Sequence, residues 1–217
     1  MKSIETYVWL IRHGTPEEGV RGRCYGDLDV GLSTEGTQEM EELGRQLARL
    51  PLQAIYVSPK RRAAQSAALI SKFRDCPVNT VAALSEIHFG LFEGRSYDDI
   101  AVEYPEIYRQ WMESPTEVRF PEGESFAQML ERVTVAARSL RLKHAGESIA
   151  LVTHGGVIRI LLAEALSLEP RHIFRVAQRY GAINLITYFG EEPTVELVNA
   201  HGHALLKSMH DKNFRHS

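Results

Sequence analysis

The stretch YVWLIRHGT, residues 7–15, places an apolar run directly before an arginine, a histidine and a glycine. A short unbroken apolar run predicts a strand at 7–11 that is buried on both faces of a parallel sheet. A second stretch, SIALVTHGG at 148–156, repeats this form, with a strand at 148–153 that ends on His154 and two glycines. If both strands are central, their two imidazoles lie close together although they are far apart in the chain.

Helical and strand patterns alternate along the rest of the chain. Ser33-Thr34 predicts the start of one helix and Ser58-Pro59 the start of the next, since hydroxyl residues cap helices and proline suits the first helical position. The other predicted elements are strands at 54–57, 78–84, 183–189 and 195–200, and helices at 98–113 with a break at Pro105, at 124–143 and at 157–166. This order predicts an α/β fold, a three-layer sandwich with helices on both faces of a mostly parallel central sheet.

The composition is that of an ordinary globular protein, with 217 residues of which 44% are hydrophobic and 24% charged. The net charge of -3 argues against a nucleic-acid partner, and no apolar window approaches the roughly 18 residues that indicate a membrane span. The N-terminus lacks the apolar core of a secretion signal, and Cys24 and Cys76 have no disulfide-framework or metal-site spacing. We therefore predict a cytoplasmic protein with reduced thiols, one domain over 1–206, a polar tail at 207–217, and no membrane partner.

Two arginines and two glycines lie where an α/β sheet forms its sites, beyond the carboxyl ends of strands. Arg62 falls in the early turns of a predicted helix, whose N-terminus carries free N–H groups and partial positive charge. Arg12 offers a second planar fork that suits bidentate phosphate contact. Gly14 and Gly155 let the backbone turn sharply and present N–H groups to an anion. This pattern predicts a phosphate pocket.

Glu86 opens a predicted loop after a strand. A carboxylate there is repelled by a bound phosphate unless it carries a proton, and a departing alkoxide needs a proton. These parts suit phosphoryl transfer through a histidine, in which neutral His13 attacks phosphorus and Glu86 protonates the leaving group. Glu86 then activates water against the phosphohistidine, while Arg12, Arg62 and His154 spread the charge of the phosphoryl oxygens.

Each of these residues alone has a plainer explanation: a strand-end histidine, a solvated helix arginine or a surface carboxylate. Their joint occurrence in the expected strand and helix contexts makes coincidence improbable. The histidine pair in HGH at 201–203 superficially suggests a metal site, but no cysteine or carboxylate completes the ligand set, so we predict a loop or a strand end there.

Four motifs carry a resemblance over nearly the whole chain. They are Arg12-His13-Gly14-Thr15, Ser58-Pro59 with Arg62, Glu86 with FGLFEG, and THGGVIR at 153–159. Their order and spacing resemble the histidine phosphatase superfamily, in the branch that includes the cofactor-dependent phosphoglycerate mutases. The stretch GRCYGDLDVGLSTEG at 22–36 also resembles that family's segment between the first strand and the first helix.

The resemblance implies a phosphoglycerate mutase-like fold and a reaction without metal or cofactor. It implies that His13 is phosphorylated and that Glu86 is the proton donor. The implied phosphate pocket consists of Arg12, Arg62 and His154, with Gly14 and Gly155 beside it. On the substrate side we expect Thr15, Arg23, Tyr25, Gly26 and Ser58. Arg61 departs from the family pattern and competes with Arg62, although the following AAQSA matches the register that selects Arg62.

The short gap between Glu86 and His154, with one helical lid at 97–115, favours a phosphatase over a mutase. The stretches GRCYGDLD, FPEGESF and THGGVIRILLAEAL are similar to alpha-ribazole phosphatases of cobalamin assembly, and broad-specificity sugar-phosphate phosphatases share much of them. We expect a phosphomonoester hydrolase whose partner is a small phosphorylated metabolite such as alpha-ribazole phosphate, acting as a monomer or homodimer. The alternatives are mutase-type phosphoryl transfer and a non-catalytic phosphate-binding regulatory module.

Overall fold

A six-stranded sheet organises the computed structural model, which describes residues 5–201. Its strands are β1 (Glu5–Arg12), β2 (Leu52–Val57), β3 (Val78–Thr80), β4 (Ser148–Thr153), β5 (Ile183–Phe189) and β6 (Glu192–Ala200). They lie in the order β3-β2-β4-β1-β5-β6, in which the first four strands are parallel and β5 and β6 are antiparallel. The predicted mostly parallel sheet is confirmed.

Helices cover both faces of this sheet. They are α1 (Thr34–Leu47), α2 (Arg61–Ser71), α3 (Tyr97–Glu103), α4 (Pro105–Glu113), α5 (Phe126–Lys143) and α6 (Gly155–Ala165). Side chains alternate between the two faces of a strand, so Trp9 and Ile11 pack with α1 and α2 whereas Val8 and Leu10 pack with α5 and α6. The predicted three-layer sandwich is therefore confirmed.

The register of the central strands explains why the two histidine motifs meet. Arg12 at the end of β1 pairs with Thr153 at the end of β4 in a parallel ladder. Both strands therefore end at the same edge of the sheet, and the next residues, His13 and His154, leave it side by side. The His13 amide extends the ladder by donating to the Thr153 carbonyl at 2.9 Å.

Several local signals in the sequence are confirmed. Ser33 caps α1, because its hydroxyl oxygen accepts the amide hydrogen of Gly36 at 3.0 Å. Proline at position 105 divides the predicted lid into α3 and α4. The last two predicted strands pair with each other, and the structure shows that they run antiparallel.

The predicted start of α2 at Ser58-Pro59 is wrong, because the helix begins at Arg61. The Ser58 hydroxyl lies 2.7 Å from a ring nitrogen of His154 and accepts the Lys60 amide at 3.3 Å. It therefore links a loop to the neighbouring strand end and does not cap a helix.

The predicted strand at 78–84 is also too long. β3 ends at Thr80, and a 3₁₀ turn at Ala82–Leu84 follows. The turn carries Leu84 into the core, where its side chain is fully buried. Burying one leucine stabilises the fold by roughly 2 kcal/mol, which an exposed strand end could not supply.

A third apolar cluster lies under the helical pair α3–α4. It contains Cys24, Phe92, Ile100, Trp111, Val118 and Phe120. Its aromatic rings contact one another, with centroids 5.1 Å apart for Trp111 and Phe120. This packing fixes the lid over the carboxyl edge of the sheet.

Some sequence predictions lie outside the described residues. These are the tail at 207–217, the domain boundary at 206, and the histidine at 203 of the HGH motif. Within the described range, no helix combines the length and apolarity needed to cross a bilayer. Cys24 and Cys76 are free thiols.

Candidate active site

Two imidazoles lie together at the carboxyl edge of the sheet. The ring centroids of His13 and His154 are 5.2 Å apart and their planes meet at 61°. Both side chains are buried, with relative exposures of 2% and 0%. The structure therefore brings together the two motifs from which the sequence predicted a site.

His13 is arranged as a nucleophile. Its Nδ1 lies 2.8 Å from the carbonyl oxygen of Gly14, and since a carbonyl only accepts, this nitrogen carries the hydrogen. Nε2 therefore keeps its lone pair. Burial holds the pKa of His13 well below its usual value, and the nearby charges of Arg12 and Arg62 lower it further. The ring is neutral near pH 7 and is available for attack on phosphorus.

His154 is held by a residue that was expected on the substrate side. Its Nε2 lies 2.7 Å from the hydroxyl oxygen of Ser58, which is itself fully buried. If this hydroxyl donates to Nε2, the ring hydrogen of His154 stands on Nδ1. Burial also holds the pKa of His154 well below its usual value, with Arg62, His13 and Arg12 acting in the same direction. In that tautomer the neutral ring offers an Nδ1 hydrogen-bond donor that has no partner within the described residues.

Arg62, and not Arg61, lines the pocket. The Arg62 side chain is fully buried in the first turn of α2, and its two terminal nitrogens donate to the carbonyls of Leu28 and Gly26 at 3.0 and 2.8 Å. Burial lowers the pKa of Arg62. Arg61 is more than half exposed and lies 3.7 Å from Glu17 at the surface.

Arg12 is anchored by two residues of the segment before β5. One terminal nitrogen donates to the carbonyl of Gln178 at 2.5 Å, and the guanidinium lies 4.1 Å from the ring centre of Tyr180. Within the described part of the chain, Arg12 Nε, Arg62 Nε and His154 Nδ1 are buried and make no hydrogen bond. Buried polar atoms without a partner are rare in native proteins, and three at one site indicate an anion-binding pocket.

Glu86 faces the same pocket across the first turn of α6. One carboxylate oxygen accepts the Gly156 amide at 3.0 Å, and the other accepts the Ile87 amide at 3.1 Å. A Cβ atom at position 156 would lie 2.3 Å from Glu86 Oε1, so glycine is what allows this approach. The carboxylate is thereby held at one orientation at the pocket rim.

Gly14 and Gly155, which were both predicted to present amides to an anion, differ in what they contact. The Gly14 amide donates to the hydroxyl of Ser66 at 3.1 Å, so it is used inside the fold and is not presented to an anion. Gly155 is the first residue of α6, and a Cβ there would lie 3.3 Å from Arg12 Cζ. The small size of Gly155 thus makes room for the Arg12 guanidinium.

The remaining substrate-side predictions divide into two groups. Arg23 and Tyr25 line the pocket. Thr15 instead donates its amide and hydroxyl hydrogens to Glu39 at 3.2 and 3.0 Å and lines an adjoining cleft. The backbone of Gly26 is occupied as well, because its carbonyl accepts from the buried arginine of α2 and its amide donates to Glu93.

Arg159 and Tyr180 were missed by the sequence reasoning. Arg159 lies in α6, donates from Nε to the Val176 carbonyl at 2.9 Å, and lines the pocket beside Arg12. Burial lowers the pKa of Arg159, and Arg12 adds to the effect. Its position four residues after Gly155, one helical turn along THGGVIR, was a usable signal. Tyr180, in the loop before β5, had no recognisable signal.

The pocket has a volume of about 290 Å³ and is lined by two chemically different sets of side chains. The first set is polar and includes His13, the arginines and Glu86. The second set is apolar and aromatic and consists of Ile87, Phe89, Trp111, Phe120, Phe126, Met129, Ile173 and Phe174. The arrangement suits a phosphoryl group bound to a small, partly apolar organic group.

The geometry of the site agrees with the known proteins to which this chain is similar. The family model of the histidine phosphatase superfamily (branch 1) matches residues 8–201. Phosphoserine phosphatase 1 of Hydrogenobacter thermophilus is 31% identical over 160 residues, which are 74% of this chain and 76% of that protein. The adenosylcobalamin/alpha-ribazole phosphatase of Salmonella typhimurium is 28% identical over 196 residues, which are 89% and 96% of the two chains. The solved structure of Bacillus stearothermophilus YhfR superposes with a TM-score of 0.85 at 29% identity, covering 92% of this chain and 99% of that one.

Proposed function

This chain belongs to the histidine phosphatase superfamily, and we propose that it is a metal-independent phosphomonoester hydrolase that works through a phosphohistidine at His13. The observation that carries the proposal is the state of His13, a buried neutral imidazole with Nδ1 bound to a carbonyl and Nε2 available for attack. The unpartnered donors around it supply the complementary half of the site.

Substrate binding places the phosphoryl oxygens among Arg12, Arg62 and His154. The two arginines supply positive charge beside buried side chains, where electrostatic attraction is stronger than in solution. His154 contributes a hydrogen bond through Nδ1. These donors are held by the fold before substrate arrives, so little reorganisation is needed during the reaction.

In the first chemical step, Nε2 of His13 forms a bond to phosphorus as the bond from phosphorus to the ester oxygen breaks. The departing oxygen takes the proton that Glu86 holds, so the leaving group departs as an alcohol. The positive charge that develops on His13 is balanced by the phosphoryl oxygens and by the carboxylate that Glu86 becomes.

In the second step, the Glu86 carboxylate accepts a proton from a water molecule. The water oxygen bonds to phosphorus as the phosphorus–nitrogen bond of the phosphohistidine breaks. Inorganic phosphate leaves, His13 returns to its neutral form, and Glu86 carries a proton for the next turnover.

We propose alpha-ribazole phosphate as the first substrate to test. The aromatic side chains that line the pocket would stack against a flat heterocycle. The Salmonella alpha-ribazole phosphatase also matches this chain over most of both lengths. Phosphoserine is the second candidate on the basis of the Hydrogenobacter relative. Within the described chain, Glu86 is the only carboxylate that lines the pocket, so a substrate ammonium group finds no separate acid there.

The test is phosphate release from a metabolite panel in the presence of a chelator. The panel contains alpha-ribazole phosphate, phosphoserine, a phosphoglycerate and fructose bisphosphate. We expect turnover without metal and an acid-labile phosphoryl group on the protein that His13→Ala abolishes. Wild-type turnover by His13→Ala would refute the mechanism, and activity that depends on a bisphosphate primer would indicate a mutase.

A further inference from the structure

We infer that Arg132 and Glu124 form a clamp that positions Glu86 for proton transfer. This inference rests on the proposed function, in which Glu86 is the proton donor. Neither clamp residue lines the catalytic pocket; both line a shallow depression that shares Glu86 with that pocket. They act on the reaction only through the segment that carries Glu86, so they are positioning residues.

Arg132 of α5 donates to three backbone carbonyls in the segment that leads into Glu86. One terminal nitrogen donates to the carbonyls of Ala83 and Ser85, both at 2.8 Å. The other terminal nitrogen donates to the carbonyl of Glu86 itself at 3.2 Å. A planar guanidinium with five donors can make this set of bonds, and an ammonium group at the same place cannot.

Glu124 completes the clamp by fixing the guanidinium. Its two oxygens accept from Arg132 Nε and Nη2 at 2.6 and 2.8 Å, a bidentate pair. The Glu124 amide also donates to the carbonyl of His88 at 2.9 Å. The backbone on both sides of Glu86 is therefore tied to the same two residues. The pair is well shielded, with 25% and 16% of the side chains exposed.

A second constraint on Glu86 adds to the clamp. The amide of Gly156 holds one carboxylate oxygen of Glu86 at 3.0 Å. The Arg132 guanidinium holds the Glu86 carbonyl. With both its backbone and its carboxylate held, the side chain has little freedom to leave the pocket. A displacement of about 1 Å at a catalytic group can cost on the order of 10²-fold in rate.

The same helix supplies a matched control. Arg141 of α5 is buried, donates to the carbonyl of Gly190 at 2.6 Å, and binds the more exposed Glu191 at 2.7 Å. It lies in another cleft, away from the two histidines. Loss of Arg141 removes an arginine–carboxylate pair of the same helix without touching the segment that carries Glu86. An effect confined to Arg132 therefore separates positioning from general stabilisation.

The experiment measures the rate of leaving-group release in the first turnover with two substrates. Nitrophenolate departs readily without a proton, whereas an alkoxide from an alkyl phosphate requires one. The variants are Arg132→Met, Arg132→Lys, Glu124→Gln, Arg141→Met and Glu86→Gln. Urea unfolding of each variant establishes that it is folded at the assay temperature.

We expect Arg132→Met to slow release from the alkyl phosphate by on the order of 10²-fold and release from nitrophenyl phosphate by less than about tenfold. Glu124→Gln and Arg132→Lys should also slow release from the alkyl phosphate more than release from nitrophenyl phosphate, but to a smaller extent. If Arg132→Met does not fold, these two variants replace it in the comparison. Arg141→Met should show no bias between substrates.

Two results would overturn the inference. One is an equal loss on both substrates in the folded Arg132 and Glu124 variants, and the other is full retention of both rates. These results are distinct from failure of the proposed function. In that case the wild-type protein would release neither leaving group, or Glu86→Gln would slow both substrates equally, and the clamp would lose its role together with Glu86.

Discussion

Replacing Gly156 by alanine tests the placement of the proposed acid most directly. The added Cβ would lie 2.3 Å from Glu86 Oε1, whereas carbon–oxygen contacts settle at about 3.3 Å or more. The carboxylate must therefore retreat by about 1 Å. Such a displacement corresponds to on the order of 10²-fold in rate, or about 2.7 kcal/mol in the activation free energy.

Stability should not fall with activity in Gly156→Ala. Gly156 lies in the first turn of α6 and its φ is not positive, so alanine suits the backbone and favours the helix by up to about 1 kcal/mol. The retreat also gives up the hydrogen bond from the Gly156 amide to Glu86, at about 0.5–1.5 kcal/mol, so we expect an unfolding midpoint in urea close to that of the wild type. The rate of alkyl phosphate hydrolysis should drop in the same preparation.

The control for this variant is Gly19→Ala, because a Cβ at position 19 meets no heavy atom within 4 Å. It should leave both turnover and unfolding unchanged. Release of alcohol from an alkyl phosphate is measured in the first turnover for both variants. Wild-type rates in a folded Gly156→Ala protein would refute the reasoning, because they would mean that Glu86 does not act from the position the structure shows.

Three further predictions address the phosphate pocket. Arg62→Ala should abolish turnover and lower the free energy of unfolding, since it leaves two loop carbonyls without donors at a cost of about 1–3 kcal/mol each. Arg61→Ala, at the surface, should change the free energy of unfolding by less than about 0.5 kcal/mol. Urea titration and phosphate release compare the two variants, and similar effects would contradict the assignment of Arg62 to the pocket. Because the pKa of His13 is lowered in the folded state, the unfolded chain takes up a proton first as the pH falls through about 6.5. The contribution of neutral His13 to the free energy of unfolding is therefore complete above that pH and is lost progressively below it. His13→Asn should therefore lose less stability than the wild type between about pH 6.5 and 5, by up to about 2 kcal/mol, and identical acid profiles would contradict the buried neutral state. Arg159→Met should weaken competitive inhibition by inorganic phosphate about tenfold or more, because a charged donor is removed from the pocket. An unchanged inhibition constant would mean that Arg159 does not contribute to phosphate binding.

Much of the fold could be predicted from the sequence because its central strands are apolar on both faces. The runs that became β1 and β4 leave few alternatives, and the histidine that follows each run marks the edge where sites form. The break at Pro105 was likewise a local effect of one residue type. Boundaries failed where a tertiary contact overrode a local signal, as at Ser58, whose hydroxyl bonds to a ring nitrogen of His154.

The site shows the same division. His13, Arg62 and Glu86 could be proposed from residue type and position beside strand and helix ends. The anchors of the site could not, because they join segments that are distant in sequence. Arg12 donates to the carbonyl of Gln178, and the backbone around Glu86 is bound by Arg132. No periodicity or motif spacing relates such pairs.

By itself, the sequence determined which elements form and which chemistry they carry, because side-chain periodicity and residue type act locally. Only the tertiary structure decided the protonation and orientation of the reactive groups. The pKa of His13 falls because the folded chain removes water from the ring and brings two guanidinium groups near it. Burial and charge proximity are properties of the packed molecule, so they first exist when the strands and helices have assembled.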